Sequence, residues 1–578
     1  MDLRLYDLPP EILIDIALYL DFTDVYSLQR TCRTVSRVIQ TSLQLNYKTQ
    51  LQIAGMLNNP LCSLPIADRL DMVRARERAW ASFEYPFLST PQLPHKSSGL
   101  YDITPGVCLV GKVDEDSTTR SIQAVHLPHQ VDDIRKWDII HFDEEIIDFG
   151  TSIEENDLIA SVCLTPIHDF PNMSRLCIIL RRYSTHALYD GIASPIILLS
   201  EEPSNRQHPI ITIEISGQNL AVVVMFVVTE ALMYVFNWRT GARTEKLDPI
   251  PVVNPGLVFL RDDILLNPQL ETNSINIYHI PTSASERVGL VQTLQFPQFN
   301  PAFGISYVAC RGDPSPTTDG LFPRNSPAHR PYTNNPEEAI IVFTLQVTGV
   351  TDDIDDDDDD DLGLIESSFV MVVHRKALLN LLPASLDTAF SISAVPWESW
   401  GPPITRWLGV HHRSISFITI SSGQRLVEFR SSRGGGEDER NDDIHILDFN
   451  PWHVKLAQAR GSAESKKSIT TVIGGGSLPR TTTELLSGSS TEEDPATTSD
   501  ITSNEGNVRQ ENPENVYPRG NAFVNDVVSR LPYVRCMSTE RWESYDSVLI
   551  DEERLIGMRA GHGDDPTQLN SIELLYFG

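Results

Sequence analysis

The side chains from which this chain could build a reactive or ligating site are seven cysteines, a few histidines, three neighbouring tryptophans and a run of aspartates. The cysteines (Cys32, Cys62, Cys108, Cys163, Cys177, Cys310, Cys536) are scattered, odd in number and free of CxxC pairs, so they read as reduced core residues rather than as a disulfide framework or a zinc site. His374 and the pair His411-His412 have no Cys or carboxylate partner at metal spacing, and no HExxH motif occurs. Asp352, Asp353 and residues 355–361 lack the alternating oxygen ligands and the turning glycine of a calcium loop. They read as a solvated acidic loop, with weak capture of a basic tail as its functional version. Neither GxSxG, GxxxxGK[ST] nor GxGxxG is present, so the common nucleophile and phosphate-cradling signatures are missing. No catalytic residue, metal or cofactor is expected. Trp397, Trp400 and Trp407 could form an aromatic binding surface, but aromatics so placed are expected to pack. The Arg311-Gly312-Asp313 triplet has no adhesive meaning in a reduced compartment.

Bulk properties narrow the partner classes. The 578 residues exceed one compact core, and 41% hydrophobic content is ordinary for a globular protein. Net charge is −32, nine of these charges lying in the Asp run, which argues against nucleic acid. Reduced cysteines and an N-terminus without a basic stretch and apolar run favour the cytosol or nucleus. Residues 220–236 are apolar enough to suggest a membrane span, yet Glu230 would cost about 2.5–3.5 kcal/mol near its middle. Two buried strands joined by a tight turn at Thr229-Glu230 fit the valine-rich sequence better, so no membrane partner is expected.

The elements follow from periodicity. Residues 5–46 carry three helical patterns: Pro9-Pro10 suits a helix start, Ile12, Ile16 and Leu20 form an i, i+4, i+8 stripe, Val25 and Leu28 follow a new cap, and Val35, Val38, Ile39 and Leu43 mark the third. A bundle of about 45 residues cannot cover its own apolar surface, so a partner should complete it. A further helix over 68–83 places Leu70, Val73, Trp80 and Phe83 near one face, with Arg69, Arg74, Arg76 and Arg78 polar. From residue 101, short apolar runs recur between turns, which predicts an all-β region. A weak repeat at 219–242, 257–281 and 404–430 selects a β-propeller among all-β folds, of six to eight blades by repeat length. The expected organisation is 1–46, three helices; 47–100, helical linker; 101–460, propeller with disordered loops at 311–336 and 350–362; 461–521, disordered insert; and 522–578, strands closing the ring.

Leu8-Pro9-Pro10-Glu11-Ile12, Ile16, Leu20, Val25, Leu28 and Thr31-Cys32-Arg33 resemble the F-box, although its aromatic three residues after the Cys is Val35 here. The remaining chain resembles a family of fungal F-box proteins with a propeller-like C-terminal region. The matching segments are 76–80, Phe236-Asn237-Trp238-Arg239-Thr240-Gly241, 374–379, Trp397-Glu398-Ser399-Trp400-Gly401-Pro402, 405–407, 447–452 and 531–533. The resemblance implies that Leu8, Pro9, Ile12, Ile16, Leu20, Leu28 and Cys32 bind a Skp-type adaptor subunit of a cullin complex. The expected role is that of a substrate-recognition adaptor of an SCF-type ubiquitin ligase, with no chemistry of its own. A non-degradative propeller scaffold is the alternative, and a propeller enzyme such as a hydrolase, with polar residues around its central channel, is a third.

Overall fold

A computed structural model describes residues 5, 8–131, 133, 135–203, 206–226, 231–243, 249–281, 288–320, 322–350, 364–384, 386, 394–410, 419–430, 443–460, 463–464, 468–474, 476–478, 522–540, 542, 545–560 and 569–578. The Asp run and His411-His412 lie outside them.

The N-terminal helices are α1 (Pro10–Leu18), α2 (Phe22–Gln29), α3 (Arg33–Thr41), α4 (Leu43–Ala54) and α5 (Ile66–Ser82). Pro9 caps α1 and Pro10 occupies its first turn, where a missing N–H costs nothing. The boundary expected at residue 46 falls inside α4, which runs on to Gly55. That glycine ends α4 at φ +69, a left-handed conformation that favours glycine.

Beyond α5 the described residues form seven larger antiparallel sheets in chain order. Blade 1 spans strands from Ser97–Thr104 to Asp138–His141, blade 2 from Glu145–Ser152 to Ile196–Pro203, and blade 3 from Ile210–Ser216 to Ile250–Val252. Blade 4 runs from Val258–Arg261 to Gly289–Gln295, blade 5 from Phe303–Arg311 to Thr405–Val410, and blade 6 from Ser421–Ser422 to Tyr533–Ser538. Blade 7 comprises Ser547–Ile550, Arg554–Ala560 and Leu569–Tyr576, and takes its fourth strand, Phe87–Ser89, from the N-terminal side of the chain. Four short helices punctuate the ring: α6 (Ile153–Asn156), α7 (Arg375–Leu379), α8 (Trp397–Ile404) and α9 (Pro451–Arg460).

Core packing shows that the sheets close into a ring. Each of seven hydrophobic clusters joins neighbouring blades: Ile122 with Ile159 for blades 1 and 2, Val162 with Val222 for 2 and 3, Val235 with Leu265 for 3 and 4, and Ile277 with Phe343 for 4 and 5. Val372 with Leu426 joins 5 and 6, Ile446 with Val548 joins 6 and 7, and Ile556 with Val110 joins 7 back to 1. A sheet buried on both faces by its neighbours leaves no open apolar face, which is how a propeller solves the burial problem.

The hairpin expected over 220–236 is present as Asn219–Met225 paired with Ala231–Asn237, with Leu220, Val222 and Phe236 fully buried; its turn lies outside the described residues. Trp397, Trp400 and Trp407 are buried and meet edge to face, as packing groups do. Three expectations need correction. The repeat was read out of phase: 404–430 combines the last strand of blade 5 with the first two of blade 6, whereas 257–281 lies within blade 4. The disorder expected from 461 does not hold at its start, because Ser468–Ile473 pairs with Tyr533–Ser538 inside blade 6, and residues 479–521 of it lie outside the described residues. Residues 311–336, expected to be disordered for their prolines, are an ordered plug across one end of the ring.

Proline removes a donor but leaves carbonyls that must be met. The buried Arg375 meets them here, donating to the carbonyls of Pro314 (2.9 Å), Gly312 (2.6 Å) and Pro336. Arg330, also buried, pairs with Glu154 of α6 and lies 3.6 Å from Glu552 after the first strand of blade 7. Ser216 at the end of the first strand of blade 3 donates to Pro316 O at 2.8 Å. These contacts all fall where first strands end, so the plug closes that mouth of the ring.

Candidate functional site

The N-terminal helices bury Leu13, Ala17, Val25, Val35, Ile39 and Leu45 against one another. Lys48 of α4 donates to the carbonyls of Leu18 (2.5 Å) and Leu20 (2.6 Å), satisfying acceptors that the end of α1 leaves unpaired. The inward face of α1 is therefore Leu13 and Ala17. The Ile12, Ile16, Leu20 stripe divides: Ile12 (44% exposed) and Ile16 (38%) point to solvent, whereas Leu20 lies beyond the end of α1 and packs on the core. Pro9 is exposed, and Leu8, Leu28 and Cys32 are half-buried against the same core.

Two residues extend the outward face. Tyr19 is 92% exposed and Tyr26 of α2 is 60% exposed. Ile12, Ile16 and Tyr19 have the i, i+4, i+7 spacing of a single helical face, a signal legible in the sequence that the Ile12, Ile16, Leu20 stripe leaves out. Large apolar side chains exposed together on so small a bundle mark an interaction surface. Residues 5–45 match the F-box-like family model. The N-terminal segment is an F-box-like domain.

Helix α5, which follows the F-box-like domain, is held to the propeller by a buried charge cluster as well as by packing. Glu77 of α5 accepts from Arg425 of blade 6 at 2.6 Å, and Arg425 Nε lies 3.3 Å from Asp448. His453 of α9 bridges Asp448 (2.8 Å) and Glu77 (3.4 Å), and Arg76 pairs with Glu77 from the next position. Burial disfavours the charged forms, but Arg425, Arg76 and His453 outweigh it and hold Glu77 below its ordinary value. The carboxylates of Asp448 and Glu77 likewise overcome burial and raise His453. Arg76, expected on the polar face of its helix, is buried and donates to Glu552 O. Trp80 stacks on Phe577 with centroids 4.2 Å apart, fixing α5 at the junction of blades 6 and 7. Met56–Asn58 pairs with Tyr332–Asn334 of the plug. The F-box-like domain therefore sits on the plugged side of the ring.

No curated protein sequence matches the chain. Similar solved structures include KlAtg21 in complex with the coiled coil of AgAtg16, at 11% identity and TM-score 0.27, covering 60% of this chain and 76% of that one. The WD40 domain of SCAP from fission yeast is 7% identical with TM-score 0.27, covering 62% of this chain and 87% of that one. The C-terminal WD40 domain of Sif2 is 10% identical with TM-score 0.25, covering 63% and 85%. Among the described residues, no helix is long and apolar enough to cross a membrane.

Proposed function

We propose that this chain is a substrate-recognition adaptor of an SCF-type ubiquitin ligase, with the outward face of α1 and α2 binding a Skp-type subunit and the propeller holding a target protein. The observation that carries the reading is the exposure of Ile12, Ile16, Tyr19 and Tyr26 on an F-box-like domain whose own core is already complete without them. The packing of that domain against the propeller, through Phe22 on Trp452, supports it further. An adaptor acts by proximity, raising the effective concentration of a target lysine near a charged ubiquitin, and a fixed geometry keeps that concentration high.

Co-purification tests the reading. Intact chain should retain a Skp-type subunit, and Ile12→Asp with Ile16→Asp should abolish retention while the fold persists. Retention unchanged by both substitutions would sink it. Retention of the subunit without ubiquitin transfer to any bound partner would instead favour the scaffold reading.

A further inference from the structure

A cavity of about 450 Å³ occupies the axis of the ring, within the size range of small-ligand sites. It is lined by first-strand residues of six blades or their immediate flanks, and by residues 253–256 leading into blade 4. The plug closes it on the side of the F-box-like domain. At the opposite mouth, where first strands begin, Ile210 (49% exposed) and Tyr307 (37% exposed) form an apolar rim.

The wall carries more carboxylates than cations. Asp102, Asp148, Glu214 and Asp313 line the cavity around Arg311, the one lining guanidinium among the described residues, and Glu154, Glu155, Asp551 and Glu552 line it toward the plug. Arg311 lies 3.3 Å from Asp102, 3.6 Å from Glu214 and 2.9 Å from Asp313. Asp148 accepts from the Phe149 N–H at 2.8 Å and has no cationic partner within ion-pair distance among the described residues. Burial pushes Asp148 up to about 7, and Glu214 also to about 7 against the lowering pull of Arg311. Arg311 in the wall and the buried Arg375 behind Gly312 are two cations facing the four acids Asp102, Asp148, Glu214 and Asp313, and such a wall favours an entering positive charge.

Two polar groups point independently to a ligand. Asn254 is 1% exposed and lines this cavity, yet among the described residues neither its Oδ1 nor its Nδ2 has a hydrogen-bond partner; Thr419, 2% exposed and also lining it, has an Oγ1 unpartnered among them. Buried polar atoms are rarely left unpaired without a functional reason. Among the described residues no group of three or more His, Cys, Asp or Glu is arranged to hold a metal ion, so the cation these groups suit is organic.

We propose that the axial cavity binds the side chain of an arginine or lysine borne on an extended segment of the target protein, with the aliphatic stem of that side chain against Ile210 and Tyr307. Charge complementarity argues for this occupant: the chain carries −32 overall, and Val350 and Leu364, between which the Asp run is inserted, pair with each other at this same mouth beside Gly349 and Phe303. That field attracts a basic segment before it docks. The assignment of the ligand to a ubiquitination target rests on the adaptor reading, whereas the binding chemistry does not.

The test uses the full chain and fluorescent neutral peptides that differ only in one central residue: Arg, Lys, Gln or Glu. Arg and Lys peptides should bind and the others should not. Asp148→Asn, which keeps the acceptor for Phe149 N–H, should weaken binding about tenfold, as should Glu214→Gln, the loss expected for one charged hydrogen-bonding partner. The exposed Tyr307→Ala variant should weaken it with no change in thermal unfolding, guarding against a folding artefact. Equal binding of Gln or Glu peptides, indifference to all three variants, or spermidine binding as tightly as the peptides would each overturn the proposal. Capture of a Skp-type subunit by the same variants is measured in parallel. In the variants, weakened peptide binding with retained capture is the expected result; failure of the native chain to bind the Arg and Lys peptides while it captures the subunit counts against the peptide site alone, and peptide binding without capture counts against the adaptor reading alone.

Discussion

Phe22 of α2 and Trp452 of α9 meet edge to face, ring centroids 4.4 Å apart and planes at 85°. This contact carries the F-box-like domain directly onto a helix inserted in blade 6, beside the Glu77, Arg425, Asp448 and His453 cluster. Asn450, at the start of α9, also donates to Ile53 O of α4 at 2.8 Å. The domain is thus latched by an aromatic pair, and the chain that follows it by a hydrogen bond and a charge cluster, all on one short stretch of blade 6.

Trp452→Ala removes the aromatic half of the latch. Such pairs contribute about 0.5–1.5 kcal/mol beyond their burial, so amide exchange in α2 should quicken several-fold by hydrogen-exchange mass spectrometry while exchange in the blade cores stays the same. Equal acceleration throughout blade 6 would show that the tryptophan supports the propeller instead.

Arg425→Leu leaves Glu77 and Asp448 buried without their shared cation. Removing one partner of a buried pair typically costs about 3–5 kcal/mol, read as a lowered urea midpoint. Replacing Lys376, whose pair with Glu338 is exposed, should cost under about 1 kcal/mol and serves as the control.

The same cluster makes the latch pH-dependent. His453 is raised in the folded protein, so its contribution is complete below about 6.5 and is lost as pH rises through the folded value. Glu77 and Asp448 are depressed, so theirs is present above about 4 and is lost as pH falls through their folded values. The latch should therefore be tightest between about pH 4.5 and 6.5. His374 and His445 are lowered by burial and act oppositely, so the diagnostic measurement is the difference between the native chain and His453→Gln in unfolding midpoints across pH. A constant difference would refute the assignment.

The two faces of α1 should separate cleanly. Leu13→Ala opens a cavity in the small core and should cost about 2–5 kcal/mol, melting the F-box-like domain. Ile12→Asp and Ile16→Asp lie outside that core and should leave the circular dichroism of the native chain intact while abolishing subunit capture.

Binding of a cationic side chain should strengthen as pH rises through about 7. Asp148 is raised by burial and by the charge on Asp102, and Glu214 by burial and by Asp313 and Asp102, with Arg311 and Arg375 opposing the latter. Both must ionise to hold the ligand, so peptide affinity should fall toward pH 6 in the native chain and lose part of that slope in Asp148→Asn. A pH-independent affinity would contradict the role of these acids.

Several parts of this molecule were written locally. Helices α1 to α3, the 219–237 hairpin and the strands at 547–550 and 572–577 follow from apolar spacing and turn residues within a few positions of each other, because helix and strand periods are short-range properties. The Leu-Pro and Thr-Cys-Arg spacing sufficed to mark the F-box-like domain. What lay beyond that reach depended on residues far apart in sequence. Arg76 reads as a surface residue until Glu552 and blade 7 enclose it, and the proline-rich 311–336 reads as disorder until Arg375 and Arg330 satisfy its carbonyls and its charges. Asp102, Asp148, Glu214 and Arg311 come from four different blades. No local pattern connects them, and only closure of the ring brings them into one low-dielectric cavity where their charges interact.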